Sequence, residues 1–193
     1  MLRLNNLTVG YQKSKPLIQN INGEFDGNIV GILAKSGAGK TTLFKTLCGV
    51  IPPLSGSFVT SDPIVMMCQR NTNFGWLNCI ENILICDKIK HQKDRPEDAR
   101  KILNDVGLSE YETVFPNQLS GGQQQRLSLA RILYFEPKIL LMDEPLSALD
   151  DHTRADMQEL ILKQHRELQN TILLVTHSEA EAKLMCDKIL YFK

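Results

Sequence analysis

The chain has 193 residues, 42% of them apolar and 23% charged, and its 22 Lys plus Arg balance 22 Asp plus Glu. That length suits one α/β domain with a substantial core and is short for two. Balanced, interspersed charge removes the electrostatic case for nucleic acid as the main partner, and equally for a basic membrane-binding face.

No apolar run reaches the roughly 18 to 20 residues that cross a bilayer, and the opening residues lack a signal-peptide core, so a soluble cytosolic chain is expected. The five cysteines (Cys48, Cys68, Cys79, Cys86, Cys186) show no C-x-x-C spacing. They are expected to be reduced and mostly buried, outside any disulfide framework or zinc site.

In chain order, Leu2 to Val9 and Ile18 to Phe25 read as short strands. Asn28 to Leu33 is a third, feeding directly into a glycine-rich turn and a helix. Pro52, Pro53, Ser55 and Gly56 mark a turn after that helix. Ile64 to Met67, Ile139 to Met142, Thr171 to Val175 and Lys188 to Phe192 are apolar runs alternating with helical patterns, which predicts a parallel sheet in a doubly wound α/β core.

Between Trp76 and Gly107 the pattern is helical, with Pro96, Glu97 and Asp98 in a first turn and Gly107 as the stop after Ala99 to Val106. A small helical subdomain is expected there, spanning about residues 73–135 within a single domain of 1–193. Pro137 stops the helix that begins near Gly121. On the Asp151 to Leu168 helix, Met157, Leu160 and Ile161 form a core-facing stripe.

Three segments carry chemistry. Ala34-Lys35-Ser36-Gly37-Ala38-Gly39-Lys40-Thr41 follows the third strand and fits a phosphate-binding loop except at its first position, where Ala34 stands for glycine. Glycines let backbone N–H groups turn toward phosphate oxygens, and the following helix offers its positive end. Lys40 is then placed to bridge β- and γ-phosphates, the Thr41 hydroxyl to ligate Mg²⁺, and Thr42 to complete the ATP-binding set. By itself the segment could be an ordinary glycine-rich turn, and Ala34 carries the expectation of a slightly altered loop or weaker nucleotide affinity.

Ile139 to Pro145 is an apolar strand ending in two carboxylates, at the edge where open α/β sheets bind ligands. Asp143 suits a Mg²⁺ hydration shell and Glu144 the polarisation of an attacking water; alone, the pair could be a solvated acidic turn. Leu119-Ser120-Gly121-Gly122-Gln123 opens a second helix and offers a second anion site, although Ser120 could equally be a plain N-cap.

In their order along the chain these motifs resemble the ABC (ATP-binding cassette) ATPase family, over essentially the whole length. The pentapeptide Leu119 to Gln123 matches its LSGGQ signature. The resemblance implies a P-loop NTPase fold with a mainly parallel core, an N-terminal antiparallel β portion and a helical subdomain. It also implies a D-loop role for Asp150, a γ-phosphate contact for His177, a Q-loop role with Mg²⁺ contact for Gln69, and adenine stacking for Tyr11. Read by themselves, Tyr11 could be a half-exposed strand aromatic, Gln69 a surface amide, and Asp150 a helix N-cap or first-turn acid. His91, His152 and His165 lie in polar stretches and read as solvated surface.

The resemblance further implies a head-to-tail homodimer, with ATP held between one chain's phosphate loop and Ser120, Gly121, Gly122 and Gln123 of the other. Integral membrane permease subunits would place the pair on the cytoplasmic face of the membrane. Asn73 to Ile83 and Leu146 to Arg154 resemble bacterial importers of nitrate, sulfonate and taurine, which adds a separate solute-binding protein as a partner. A soluble ABC ATPase doing mechanical work on a non-membrane partner is the alternative. The stop soon after His177 carries the expectation of no C-terminal regulatory domain and no separate regulatory ligand site.

Overall fold

The computed structural model describes residues 1–35, 37–69 and 72–192. The chain divides into two compact units: Met1–Met67 with Pro137–Glu144 and His165–Lys193, and Cys68–Glu136 with Pro145–Gln164.

The first unit holds eight strands: β1 (Leu2–Val9), β2 (Ile18–Phe25), β3 (Ile29–Ala34), β4 (Ser55–Thr60), β5 (Ile64–Met67), β6 (Ile139–Asp143), β7 (Thr171–Thr176) and β8 (Lys188–Phe192). An antiparallel sheet runs β2-β1-β4, and a second sheet runs β5-β6-β7-β3-β8 with every pairing parallel. Strands β6 and β7 are buried at every position, which is why their sequences are continuous apolar runs instead of alternating patterns.

Strand β4 stands where the sequence suggests only a turn. Its side chains are exposed apart from the half-buried Phe58, so no apolar pattern announces it, and its order comes from register with β1.

Helix α1 (Lys40–Leu47) follows β3 and buries Leu43, Phe44 and Leu47 in the core with Phe25, Ile32, Leu141 and Val175. Because all five strands of the larger sheet point the same way, the ends of β3, β6, β7 and β8 reach one edge together.

The second unit is helical: α2 (Cys79–Ile89), α3 (Pro96–Asp105), α4 (Gly121–Phe135) and the greater part of α5 (Asp151–Leu168). Helix α2 packs against both α3 and α4. Asn78 and Glu81 close a capping box at the start of α2. The end of α3 is closed by Arg126, whose guanidinium donates to the carbonyls of Val106 (2.7 Å) and Gly107 (3.0 Å).

Inside this unit Asp87 is fully buried. Burial alone would raise its pKa, but the Tyr134 hydroxyl (2.5 Å) and the Arg95 guanidinium and amide outweigh it and hold the carboxyl below the ordinary range. All five cysteines are free thiols, and burial pushes Cys79 and Cys86 up to about 11 and Cys186 up to about 12. His165 is half-buried and pairs with Asn170 (3.0 Å) instead of lying free on the surface.

Short helix α6 (Glu179–Met185) joins β7 to β8 in the first unit. It is capped by Ser178, whose hydroxyl accepts from the Glu181 amide.

Candidate functional site

At the shared edge of the parallel sheet lies a cleft of about 520 Å³, within the size range of small-molecule sites. Lys35, Lys40, Glu144 and His177 line it, Lys40 from the start of α1 and the others from the loops that follow β3, β6 and β7.

Lys40 is the first residue of α1 and only 8% exposed. Its ammonium donates to the carbonyls of Ala34 (2.7 Å) and Lys35 (3.1 Å), so the loop is wrapped around the charge. The left-handed backbone that this wrapping needs falls at Gly37 (φ 80°) and Gly39 (φ 91°). At Gly39 an added Cβ would come within 2.7 Å of Leu17, so only glycine fits.

Ala34 instead ends β3 in register with Phe192, and its φ is not positive. Glycine's freedom is therefore not needed at that position. Ser36 lies outside the described residues.

Thr41 donates its hydroxyl to Asp143 across 2.7 Å, joining groups 102 positions apart in sequence. Asp143 is only 3% exposed. Burial raises its pKa, with the Thr41 hydroxyl working in the opposite direction and the neighbouring Glu144 adding to the rise. The carboxyl thus binds its proton more readily in the fold than in the unfolded chain. Its stabilising contribution is complete below the unfolded pKa of about 3.9 and is lost as pH rises through the folded value.

At neutral pH the ionised form is therefore a burden that a cation would relieve. Two hard oxygens side by side, the Thr41 hydroxyl and the Asp143 carboxylate, would suit Mg²⁺. Asp143→Asn keeps an acceptor for Thr41 and removes the buried charge. In the absence of nucleotide its melting temperature at pH 7 is expected to equal or exceed the native value by up to about 4 °C, with Mg²⁺-dependent nucleotide binding lost. A fall of several degrees in a thermal melt at pH 7 would show that the charge stabilises the fold.

Glu144 follows β6 with φ 50°, a left-handed conformation for a non-glycine residue, while its amide still donates to Val175 (3.0 Å). Such backbone costs roughly 1–3 kcal/mol and persists where the surroundings dictate it. The Glu144 carboxylate stands 3.7 Å from Nδ1 of the exposed His177. Glu179 and Tyr191, which the motifs did not mark, also line the cleft. Glu179 opens α6 just after His177 and Tyr191 lies on β8, so only the sheet order reveals them. Tyr11 is 67% exposed on the β1–β2 connection, and its hydroxyl accepts from the buried Thr42 at 3.5 Å.

The other expected residues belong to the second unit. Ser120 caps α4: its hydroxyl accepts from the Gln123 amide (3.3 Å), and the Gln123 side chain accepts from the Ser120 amide (2.8 Å). Ser120 and Gly121 are exposed, so the capping role leaves this end of α4 accessible.

The segment leading to Asp150 is held near by the Gln125 side chain, which accepts from the Ala148 amide (3.0 Å). Asp150 is exposed and accepts from the Thr153 amide (3.0 Å) at the head of α5; that bond lowers its pKa. Gln69 is exposed.

The chain matches the ABC transporter family over residues 18–147. The taurine import ATP-binding protein TauB of Roseobacter denitrificans is 33% identical over 204 aligned residues, covering 98% of this chain and 76% of that protein. The aliphatic sulfonates import ATP-binding protein SsuB 1 of Rhodococcus jostii is 38% identical over 170, covering 85% and 67%. PhnT of Salmonella paratyphi A, whose name assigns it to 2-aminoethylphosphonate import, is 36% identical over 203, covering 96% and 54%; this chain thus spans about half the length of that relative.

Among solved structures, a dimeric ATP-binding cassette in a post-hydrolysis state bound to ADP and Pi superposes with a TM-score of 0.89 at 27% identity, covering all of this chain and 94% of the other. With Lys40 and the Asp143-Glu144 pair brought to one sheet edge on that same fold, the chain belongs to the ABC transporter family, among its ATP-binding cassettes.

Proposed function

We propose that the chain is the ATP-binding and ATP-hydrolysing subunit of an ABC importer. The observation that carries this reading is the 2.7 Å contact of Thr41 with Asp143 in the same unit as the Lys40 ammonium and the Glu144–His177 pair.

Lys40 takes the β- and γ-phosphates, exchanging its carbonyl partners for phosphate oxygens, while the amides of the loop from Ala34 to Thr42 cradle the chain of phosphates. Tyr11 stacks on the base. Thr41 and Asp143 would hold Mg²⁺, which when bound would neutralise charge on the phosphates. Glu144 takes a proton from the attacking water, and His177 donates to the γ-phosphate as charge builds on it.

Ser120, Gly121, Gly122 and Gln123 reach the γ-phosphate of a second copy, with Asp150 near the same junction. ATP then forms part of a dimer interface. Its γ-phosphate supplies the differential affinity by which a ligand shifts a conformational equilibrium.

The relatives' names support import of small organic anions or zwitterions such as taurine, sulfonates or aminophosphonates. Integral permease subunits and a solute-binding protein complete this assembly at the cytoplasmic face of the membrane. Among the described residues no helix is long and apolar enough to cross a membrane, so a spanning path has to come from elsewhere.

The test is affinity purification of the tagged chain from native membranes, with phosphate release measured on the product. An integral membrane permease and Mg²⁺-dependent ATP hydrolysis are expected together. Recovery of only a soluble scaffold, ribosomes or DNA would point to a cassette that works away from transport.

A further inference from the structure

The loop Thr72–Leu77 carries the only tryptophan of the chain, Trp76, which is 75% exposed and lies 5.4 Å from the Phe74 ring. A surface loop of this kind needs few anchors, yet this one has many. Asn82 on α2, with no exposed surface, donates to the carbonyls of Phe74 (3.0 Å), Leu77 (2.8 Å) and Asn78 (3.0 Å), and its side-chain oxygen accepts from the Phe74 amide (2.8 Å).

From the other side, three residues of α4 hold the same loop. The Gln124 carbonyl accepts from the Asn73 side chain (2.8 Å), and the Ser128 hydroxyl donates to it (2.8 Å). Arg131 donates to the Thr72 carbonyl (2.9 Å), the Thr72 hydroxyl (3.1 Å) and Asn82 (3.4 Å). Its guanidinium also lies over the Phe74 ring, 4.9 Å from the centroid.

Positions 124, 128 and 131 fall one helical turn apart, so they line a single face of α4. That face begins one turn after Ser120 and ends about 16 Å along the helix. Arg131 is only 9% exposed, and burial lowers its pKa. Among the described residues its contacts are carbonyl, hydroxyl and amide oxygens and a ring, none of them a carboxylate. Burying a cation without a counter-charge is costly, and an apolar side chain of similar size would often serve packing as well. What the guanidinium adds is direction, since its planar fork fixes Thr72, Asn82 and Phe74 relative to one another.

We infer that Arg131 is a positioning residue that locks the Trp76 loop to helix α4, so that a load on the Ser120 end of α4 is delivered to the half-buried Phe74 and the exposed Trp76 beside it. This rests on the reading above only in taking a nucleotide phosphate as the load at Ser120. The coupling needs no flexible relay, because helix, loop and Asn82 form one hydrogen-bonded body.

The lone tryptophan makes the coupling observable in the otherwise native protein. Mg-AMP-PNP is titrated while Trp76 emission and anisotropy are recorded, with binding followed separately by calorimetry. The wild-type chain is expected to show a saturable Trp76 response. In Arg131→Met binding stays within about threefold, but the Trp76 response falls at least fivefold, the lower end of typical coupling between sites. Arg131→Lys, which keeps the charge but not the fork, recovers only part of it.

Should Arg131→Met fail to fold, Asn73→Ala breaks the same clamp from the loop side and is expected to lose the response in the same way. A full Trp76 response in a folded Arg131→Met or Asn73→Ala chain that binds AMP-PNP overturns the inference, as does a wild-type chain that binds AMP-PNP and dimerises on size-exclusion chromatography but leaves Trp76 unchanged; binding without dimerisation overturns the shared-site reading instead. Absence of AMP-PNP binding to the wild type overturns the nucleotide reading instead.

Discussion

Replacing Glu144 by glutamine leaves Mg-ATP binding intact and lowers turnover by about 10²- to 10⁴-fold, the range for loss of a positioned general base. Three observations support that role for this residue. Its backbone is held at φ 50° although the residue is not glycine, its amide remains tied to Val175, and its carboxylate stands 3.7 Å from His177 in the cleft that Lys40 also lines. The amide substitution preserves size and the left-handed backbone but cannot accept the proton. Binding by calorimetry and single-turnover phosphate release separate the two steps. The variant should also accumulate as a nucleotide-bound dimer on size-exclusion chromatography. Turnover within threefold of the native rate, with the fold verified, would remove Glu144 from the chemistry.

The second large effect concerns whether one site is built from one chain or two. Lys40→Ala and Ser120→Arg are each expected to be nearly inactive, since groups that act as a unit are lost together. In a head-to-tail dimer, mixing the two single variants places both lesions in one composite site and leaves the other whole. ATPase activity is then expected to return to up to roughly half the native value per mixed dimer. A Lys40→Ala, Ser120→Arg double variant mixed with wild type puts one lesion in each site and recovers nothing beyond the wild-type homodimers. Mixed dimers that form, shown by differential tags, yet stay inactive would argue that each site is self-contained. The exposed Ser120 end of α4, capped by its own Gln123, is compatible with the shared arrangement.

Much of the fold was readable because it is local. A buried parallel strand must be continuously apolar, so Ile139 to Met142 and Thr171 to Val175 announce themselves, and a strand that runs into Gly37 and Gly39 before a helix has few structural alternatives. Strand β4 was not readable, because its order lies in pairing with β1 and its own side chains face water. The seven residues of α6 are too few to show a helical period. At the site, residue types and order were legible, whereas the Thr41–Asp143 contact and the left-handed Glu144 depend on sheet order and on backbone geometry. Polar residue types hide part of the second unit's core: Asn82, Asp87 and Arg131 are all buried, and each is tolerated there because neighbouring groups satisfy it.

The order of strands also dictates when the cleft can exist. Among the described residues, strand β3, which leads into the glycine-rich loop, pairs with β7 and β8 alone. During synthesis about 140 residues separate the end of β3 from the start of β7. At ordinary elongation rates that is a wait of roughly 7 to 30 s. Through this interval the antiparallel sheet β2-β1-β4 and the helices α2 to α4 have all their own partners in hand, while Ile29-Val30-Gly31-Ile32-Leu33 has no sheet neighbour. Non-local parallel pairing is slow for the same entropic reason. The apolar strand that leads into the glycine-rich loop thus stays unsheltered until β7, and then β8, have been made.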